Sequence, residues 1–197
     1  MIRPFLIFIL SIVFVYTAEA QYKMDVSATY NIPFSADFKN DFNNGYGVNA
    51  EFHYFIKKTG FSASLLVGLN GFRAKQAVED ALIDTSLIFD YDYRVDYYVF
   101  PVFLKANYTF FMEKKFNIIV GMGIGGLFME KKEKQTGEYT SDTNKEKFNE
   151  FGIYPSLGIS YAVSPNISVI LNSGFNMSFG KQELQYIDIR AGLIYEI

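Results

Sequence analysis

The chain predicts an all-β fold, an eight-stranded antiparallel up-and-down transmembrane β-barrel. Three observations predict it. Eight runs of sequence alternate with a period of two rather than 3.6. The connections between the runs are short and long in turn. One face of the runs is uncharged and apolar, while the other carries small neutral residues. The chain has 197 residues, half of them hydrophobic, with 21 Phe and 15 Tyr but no Trp. That length suits one domain beyond a targeting segment. A net charge of −3 does not advertise a nucleic-acid partner, and the absence of Cys excludes disulfides and thiolate metal sites.

The first element is a targeting segment. Arg3 supplies a positive n-region, FLIFILSIVFVY an apolar h-region, and Ala18-Glu19-Ala20 an A-x-A cleavage site. The apolar run of about a dozen residues is short of the roughly 20 that an uncleaved helical anchor needs. The reading is a signal peptide over 1–20 and a β-barrel domain over 21–197, exported past the inner membrane.

The eight runs cover approximately 24–32, 45–56, 61–72, 93–110, 116–131, 148–163, 167–179 and 184–197. Many reach the roughly 9 to 11 residues of a tilted membrane-crossing strand, beyond the five or six of a typical globular strand. No segment shows a convincing amphipathic helix with caps. Runs two and three are joined by KKTG, four and five by FMEKK, six and seven by SPN, all tight-turn chemistry. The other connections are mostly long and polar: PFSADFKNDFNN, RAKQAVEDALIDTSLIFDYD and KEKQTGEYTSDTNKEK, with a shorter GKQE last. Short turns on one side and long loops on the other are how outer-membrane barrels thread, turns in the periplasm and loops outside.

Alternation alone does not say which face meets lipid, since a soluble lipocalin-like barrel turns its apolar face inward. The polar face decides. It reads Gly47, Asn49, Glu51, His53 on the second run and Gly152, Ser156, Gly158, Ser160 on the sixth. Small neutral residues make a poor solvent face but fit the crowded interior of an eight-stranded barrel. The other face, such as Tyr98, Phe100, Val102, Leu104 and Ala106 on the fourth run, carries no charge. A Lys or Arg there would cost about 2–4 kcal/mol at the bilayer midplane. Aromatics at the turn ends, among them Tyr54, Phe61, Tyr108, Phe116, Tyr161 and Tyr195, suit an interfacial girdle. Pro101 and Pro155 interrupt strands and call for a bulge or kink. The expected location is the outer membrane of a Gram-negative bacterium.

The final RAGLIYEI places Arg190, Gly192, Tyr195 and Ile197 in the pattern polar–x–Gly–x–x–aromatic–x–hydrophobic. It resembles the C-terminal insertion signal that outer-membrane barrels present to the barrel assembly machinery, although that signal usually ends in an aromatic. YYVFPVFLKANYTF resembles the hydrophobic–Pro–hydrophobic–hydrophobic–Lys strand of PorT-type outer-membrane barrels, and the whole mature chain looks like a PorT-like or OmpA-like barrel. The resemblance implies an eight-stranded barrel with a secretion- or envelope-linked role. It transfers no catalytic residue.

The lumen-facing charges form the principal candidate site: Glu51, His53, Lys105, Glu150, Asp188, Arg190 and Glu196. Two readings of them compete. One is an ion-pair network that plugs the barrel, since buried charges must be paired; the other is an ion or proton path. His53, with Glu51 and Ser62 or Ser64 nearby, raises a hydrolase of the lipid A-modifying kind. Those enzymes need their His and Ser facing lipid, and parity puts His53 in the lumen. Asp80, Asp84, Asp90, Asp92 and Asp96 lack an EF-hand spacing and read as a solvated loop. Gly121, Gly123 and Gly125 relieve lumen crowding, for a phosphate loop would need a helix behind it.

The expectation is a non-enzymatic envelope protein, structural or binding through its loops, with a plugged lumen and no catalytic residue, cofactor or metal. Its expected partners are outer-membrane lipids, the barrel assembly machinery, and an extracellular or envelope protein; nucleic acid is not among them. A lipid A-modifying enzyme, a narrow channel and a soluble lipocalin-like binder are the alternatives.

Overall fold

Period-two sequence becomes strand wherever its backbone groups find partners, and here the pairing runs full circle. The computed structural model describes residues 20–56, 59–76, 92–111, 115–136, 141–180 and 184–197. The strands are Ala20–Pro33 (β1), Gly45–Ile56 (β2), Phe61–Arg73 (β3), Asp92–Phe110 (β4), Phe116–Thr136 (β5), Ser141–Ala162 (β6), Ile167–Phe179 (β7) and Gln185–Glu196 (β8). Each pairs antiparallel with its chain neighbour, and β8 returns to β1 from Lys23↔Glu196 to Pro33↔Tyr186, closing the barrel. Residues 1–19, which carry all but the last residue of the targeting segment, lie outside the described residues.

Burial alternates with the pleat and is inverted relative to a soluble barrel. Leu104 is 62% exposed and Leu157 58%, whereas Glu51 is 2% exposed and Arg190 fully buried. The uncharged face is the outer one, as its composition requires in hydrocarbon. Aromatic pairs decorate its lower rim, with Tyr22 5.6 Å from Tyr54 and Phe61 4.8 Å from Tyr108, centroid to centroid. The short turns lie at this end. In the β2–β3 turn, Thr59 Oγ1 donates to the Ile56 carbonyl at 2.8 Å, and Gly60 takes the left-handed φ of 74° that the reversal demands.

Both strand prolines sit where a ladder lapses. The β3–β4 register runs from Val67↔Val102 to Asn70↔Val99 without the rungs at Pro101 and Phe100. The β6–β7 register likewise skips from Ile153↔Met177 to Ser156↔Gly174, across Tyr154 and Pro155. Each proline removes its donor locally, and the register resumes unshifted beyond it.

Two features differ from the sequence expectation. The charged stretch read as a loop between β5 and β6 is mostly strand, paired from Lys131↔Glu146 to Thr136↔Ser141. Glu130 facing Lys147 and Lys131 facing Glu146 favour that pairing, while Lys132 facing Lys145 opposes it. The first long connection contains a short helix, Ala36–Asp41 (α1), where a polar loop was expected. Its Phe38 and the following Phe42 pack over the upper mouth against Phe72 and Tyr97, with Phe38 4.9 Å from Phe72. Burying two rings outweighs the weak intrinsic helix signal of so short a segment.

Replacing Leu65 or Val102, both outward-facing, with Arg should destabilise the barrel in lipid vesicles by about 2–4 kcal/mol, while Leu65→Ile should be nearly neutral. Urea unfolding in vesicles measures this. Arg variants as stable as the parent would overturn the assignment of faces.

Candidate functional site

The pleat points alternate residues of every strand into a space just wide enough for side chains. Three layers fill it. At the upper end Phe38, Phe42, Phe72, Val95, Tyr97 and Val99 join Leu66, Phe103, Leu127 and Tyr154 in one buried cluster. At the lower end Ile119, Ile170 and Ile194 form a smaller one. The charges lie between.

Glu51 on β2 is the hub. Its Oε1 and Oε2 accept from Lys105 Nζ on β4 at 2.8 and 3.0 Å. Oε1 also accepts from Ser64 Oγ at 2.6 Å, and Oε2 from Arg190 Nη1 on β8 at 3.2 Å. Ser64 in turn accepts from Asn107 Nδ2 at 2.8 Å. Arg190 Nε lies 3.4 Å from Asp188, whose two oxygens accept from the Tyr154 hydroxyl at 2.9 Å and Asn176 Nδ2 at 2.7 Å. Both cations also lie against the Tyr154 ring, with Lys105 Nζ 5.2 Å and Arg190 Cζ 5.5 Å from its centroid. Above this set, Asn70 accepts from Thr29 and Asn31 and donates to the Tyr186 hydroxyl at 3.3 Å.

The sheet makes room for this packing by omitting side chains. A Cβ on Gly174 would collide with the Tyr154 hydroxyl, and one on Gly123 would lie 2.8 Å from the Lys105 stem.

Of the seven charges that sequence assigned to the lumen, five meet here: Glu51, His53, Lys105, Asp188 and Arg190. Two do not. Glu196 sits at the lower rim directly across from Lys23 and pairs with it at 3.0 Å, so the ladder itself supplies a nearer partner. Glu150 faces Leu127 beyond the upper end of the charged layer, half-buried, its carboxylate reaching over Gly180. Of the terminal pattern, Arg190 belongs to the charge network and Gly192 lies too close to the Val26 carbonyl for any Cβ. Tyr195 and Ile197 are exposed at the lower girdle.

Sequence reasoning missed Asp25, buried beside Glu51 and His53, and it missed Tyr154 and Tyr186. The signals existed. Asp25, Ser27, Thr29 and Asn31 alternate on the first strand, and Tyr154 stands between Gly152 and Ser156 on the polar face.

Asp25, Glu51 and His53 offer ligand atoms within 4.8 Å of one another. The Glu51 oxygens already accept from Lys105, Ser64 and Arg190, which leaves a cation two ligands, short of the three or four protein ligands of a zinc site. His53 Nε2 is 3.8 Å from Glu51, and neither of its ring nitrogens hydrogen-bonds a described side chain. Ser64, opposite His53 in the ladder, has turned to Glu51 instead. The base–nucleophile contact of a hydrolase is not made among the described residues. Of the loop acids, Asp96 pairs with Arg94 at 3.0 Å, Asp80, Asp84 and Asp90 lie outside the described residues, and Asp92 is described only in its backbone.

Removing one partner of a buried ion pair leaves the other uncompensated. Lys105→Met should therefore cost about 3–5 kcal/mol in urea unfolding, and adding Glu51→Leu should recover part of the loss. A double variant that loses as much as Lys105→Met and Glu51→Leu summed would show that Glu51 and Lys105 are energetically independent.

The architecture has solved counterparts. OprG from Pseudomonas aeruginosa is 10% identical with a TM-score of 0.57, over 90% of this chain and 96% of that one. A major outer membrane protein from Thermus thermophilus is 11% identical with a TM-score of 0.56, over 89% and 99%. Neisserial surface protein A is 13% identical with a TM-score of 0.52, over 90% and 99%. Such low identity speaks for the fold alone. The comparison with curated proteins gives no match. The sequence itself matches the family described as outer membrane protein beta-barrel domain over residues 10–182. With most of its length matched and its strands closed eightfold, the chain belongs to that family of outer-membrane β-barrels.

Proposed function

We propose that the protein is a non-enzymatic outer-membrane scaffold, sealed by its own side chains, that works through the surfaces it carries above the outer leaflet. The observation that carries this reading is the pair of buried apolar clusters that fill the lumen above and below the charged layer, Phe38 through Phe103 and Tyr154 at one end and Ile119, Ile170 and Ile194 at the other. The charged layer fits the same role, because Glu51 spends its acceptors on structural partners. His53 is walled off inside the barrel, away from acyl chains arriving through lipid, which speaks against the hydrolase alternative.

Within the family we place the chain with the PorT-type barrels, on the segment from Pro101 to Lys105. Its lysine is the one that holds Glu51, so the resemblance coincides with the hub of the lumen. We read residues 1–20 as the export signal. Arg190, Gly192, Tyr195 and Ile197 then serve the barrel assembly machinery, Tyr195 from its exposed place in the girdle.

Planar-bilayer recording tests the seal. The refolded barrel should insert without discrete conductance steps. Phe38→Ala combined with Phe42→Ala should stay silent too, because Leu66, Phe103, Leu127 and Tyr154 still close the lumen beneath the lid. Stable ohmic steps from the parent protein would make it a narrow channel instead.

A further inference from the structure

Beyond an upper row of exposed aromatics, Phe100, Phe128, Phe151 and Phe179, the extension of β4, β5 and β6 is a three-stranded ribbon whose two faces differ in charge. Pairing fixes the faces. Phe128, opposite Phe100 and Asn149, is lipid-exposed, and the rows above it on that face follow in register. They are Tyr98–Glu130–Lys147, then Asp96–Lys132–Lys145, then Arg94–Lys134–Thr143. In these three rows five cations stand against two carboxylates, and Asp92 follows in register in the next row. The opposite face, over the barrel mouth, carries Lys131 against Glu133, Asp142 and Glu146. Lys131 and Glu133 pair at 2.7 Å, which consumes the cation of that face.

The outward face is assembled against its own electrostatics. Lys132 lies directly opposite Lys145, and Arg94 directly opposite Lys134. Like charges facing across a ladder destabilise it. The carboxylates present do not cancel them. Glu130 is shared loosely by Lys145 and Lys147 at 3.9 and 3.8 Å, and Asp96 is taken by Arg94. Side chains of Lys145 and Lys147 are 53% and 76% exposed, so their ammoniums are available. An anion between these rows would remove the repulsion.

Height identifies the anion. Strands rise about 3.4 Å per residue and tilt by about 40°, which puts the Glu130–Lys147 row about 5 Å and the Lys132–Lys145 row about 10 Å above Phe128. The headgroup layer on each side of a bilayer is about 5–8 Å thick, and lysine stems let their ammoniums reach into it from just above. We infer that the outward face of the β4–β6 ribbon docks phosphate groups of outer-leaflet glycolipids, with Lys132, Lys145 and Lys147 as the primary contacts and Lys134 and Arg94 above them. The inference needs only the upward orientation of the ribbon from the scaffold reading. A barrel that conducts would leave it standing, and a sealed barrel without lipid selectivity would sink it alone.

The test uses the full barrel in phosphatidylcholine nanodiscs doped with a bisphosphorylated hexa-acyl diglucosamine lipid or with its dephosphorylated form. Native mass spectrometry reads how much of each stays bound. The parent should retain the phosphorylated form about tenfold more, as two or more ammonium–phosphate contacts at a membrane surface imply. Raising sodium chloride to high ionic strength should collapse that ratio toward one. Lys132→Gln, Lys134→Gln, Lys145→Gln and Lys147→Gln together should abolish it, while Glu133→Gln with Glu146→Gln, on the other face, should preserve it. Equal retention of the two lipids by the parent, or a ratio surviving the four lysine changes, overturns the inference. So does a soluble sulfated polysaccharide that displaces the lipid at lower concentration, since the preferred ligand would then be a free polyanion.

Discussion

Hydrocarbon offers a peptide group no partner, and that constraint organises the molecule. An unpaired N–H or C=O in the bilayer core costs several kcal/mol, so a sheet that crosses it has to close. Closure at eight strands then leaves an interior too narrow for bulk water and too polar to be an ordinary core. Polar groups that face inward must therefore satisfy one another. The β1–β8 seam and the Glu51 hub answer the same requirement, one for the backbone and one for the side chains.

The two answers reinforce each other. Glu51 on β2 takes Arg190 from β8 across the intervening β1, so the lumen network spans the seam that closes the barrel. Lys105 brings in β4, Ser64 β3, Tyr154 β6 and Asn176 β7. β5 contributes mainly the space in which these groups lie, through Gly121 and Gly123. A network reaching nearly every strand discriminates strongly against shifted register, because a slip of one residue would turn Glu51 and Arg190 toward lipid. Its value lies in specifying one closed arrangement as much as in stabilising it. The apolar clusters lie above and below this network.

Strand number, order and facing were legible because period-two alternation and the exclusion of charge from one face are local signals that hydrocarbon enforces without exception. The central pairs were legible for the same reason: parity alone puts Glu51, Lys105, Asp188 and Arg190 inside. What parity lacks is height. It gave Glu150 and Glu196 the same face as the hub, but their rungs lie at the two ends, where Glu196 meets Lys23 first. The aromatics of the lumen were harder to find, since Tyr154 and Tyr186 look like girdle residues until Gly174 on the neighbouring strand reveals the room made for the Tyr154 ring. The α1 lid left only a Phe38–Phe42 pair in a polar segment. The ribbon was read as a loop because its charges are dense, although those charges fall into opposed faces once the pairing is known.

Lipid outside and a lumen filled by the Glu51 network and two apolar clusters inside are the two conditions on which everything else depends. The most direct measurement is a nitroxide scan along β7, residues Ile167–Phe179, in bilayers, reading collision with oxygen and with a water-soluble nickel chelate. Oxygen collision should peak at Val169, Leu171, Ser173 and Phe175 and fall at Ile170, Asn172, Gly174 and Asn176, with nickel collision low at both sets. Strong nickel accessibility at Asn172 and Asn176 would mean a water-filled lumen, and an oxygen peak at those positions would mean that the faces are reversed.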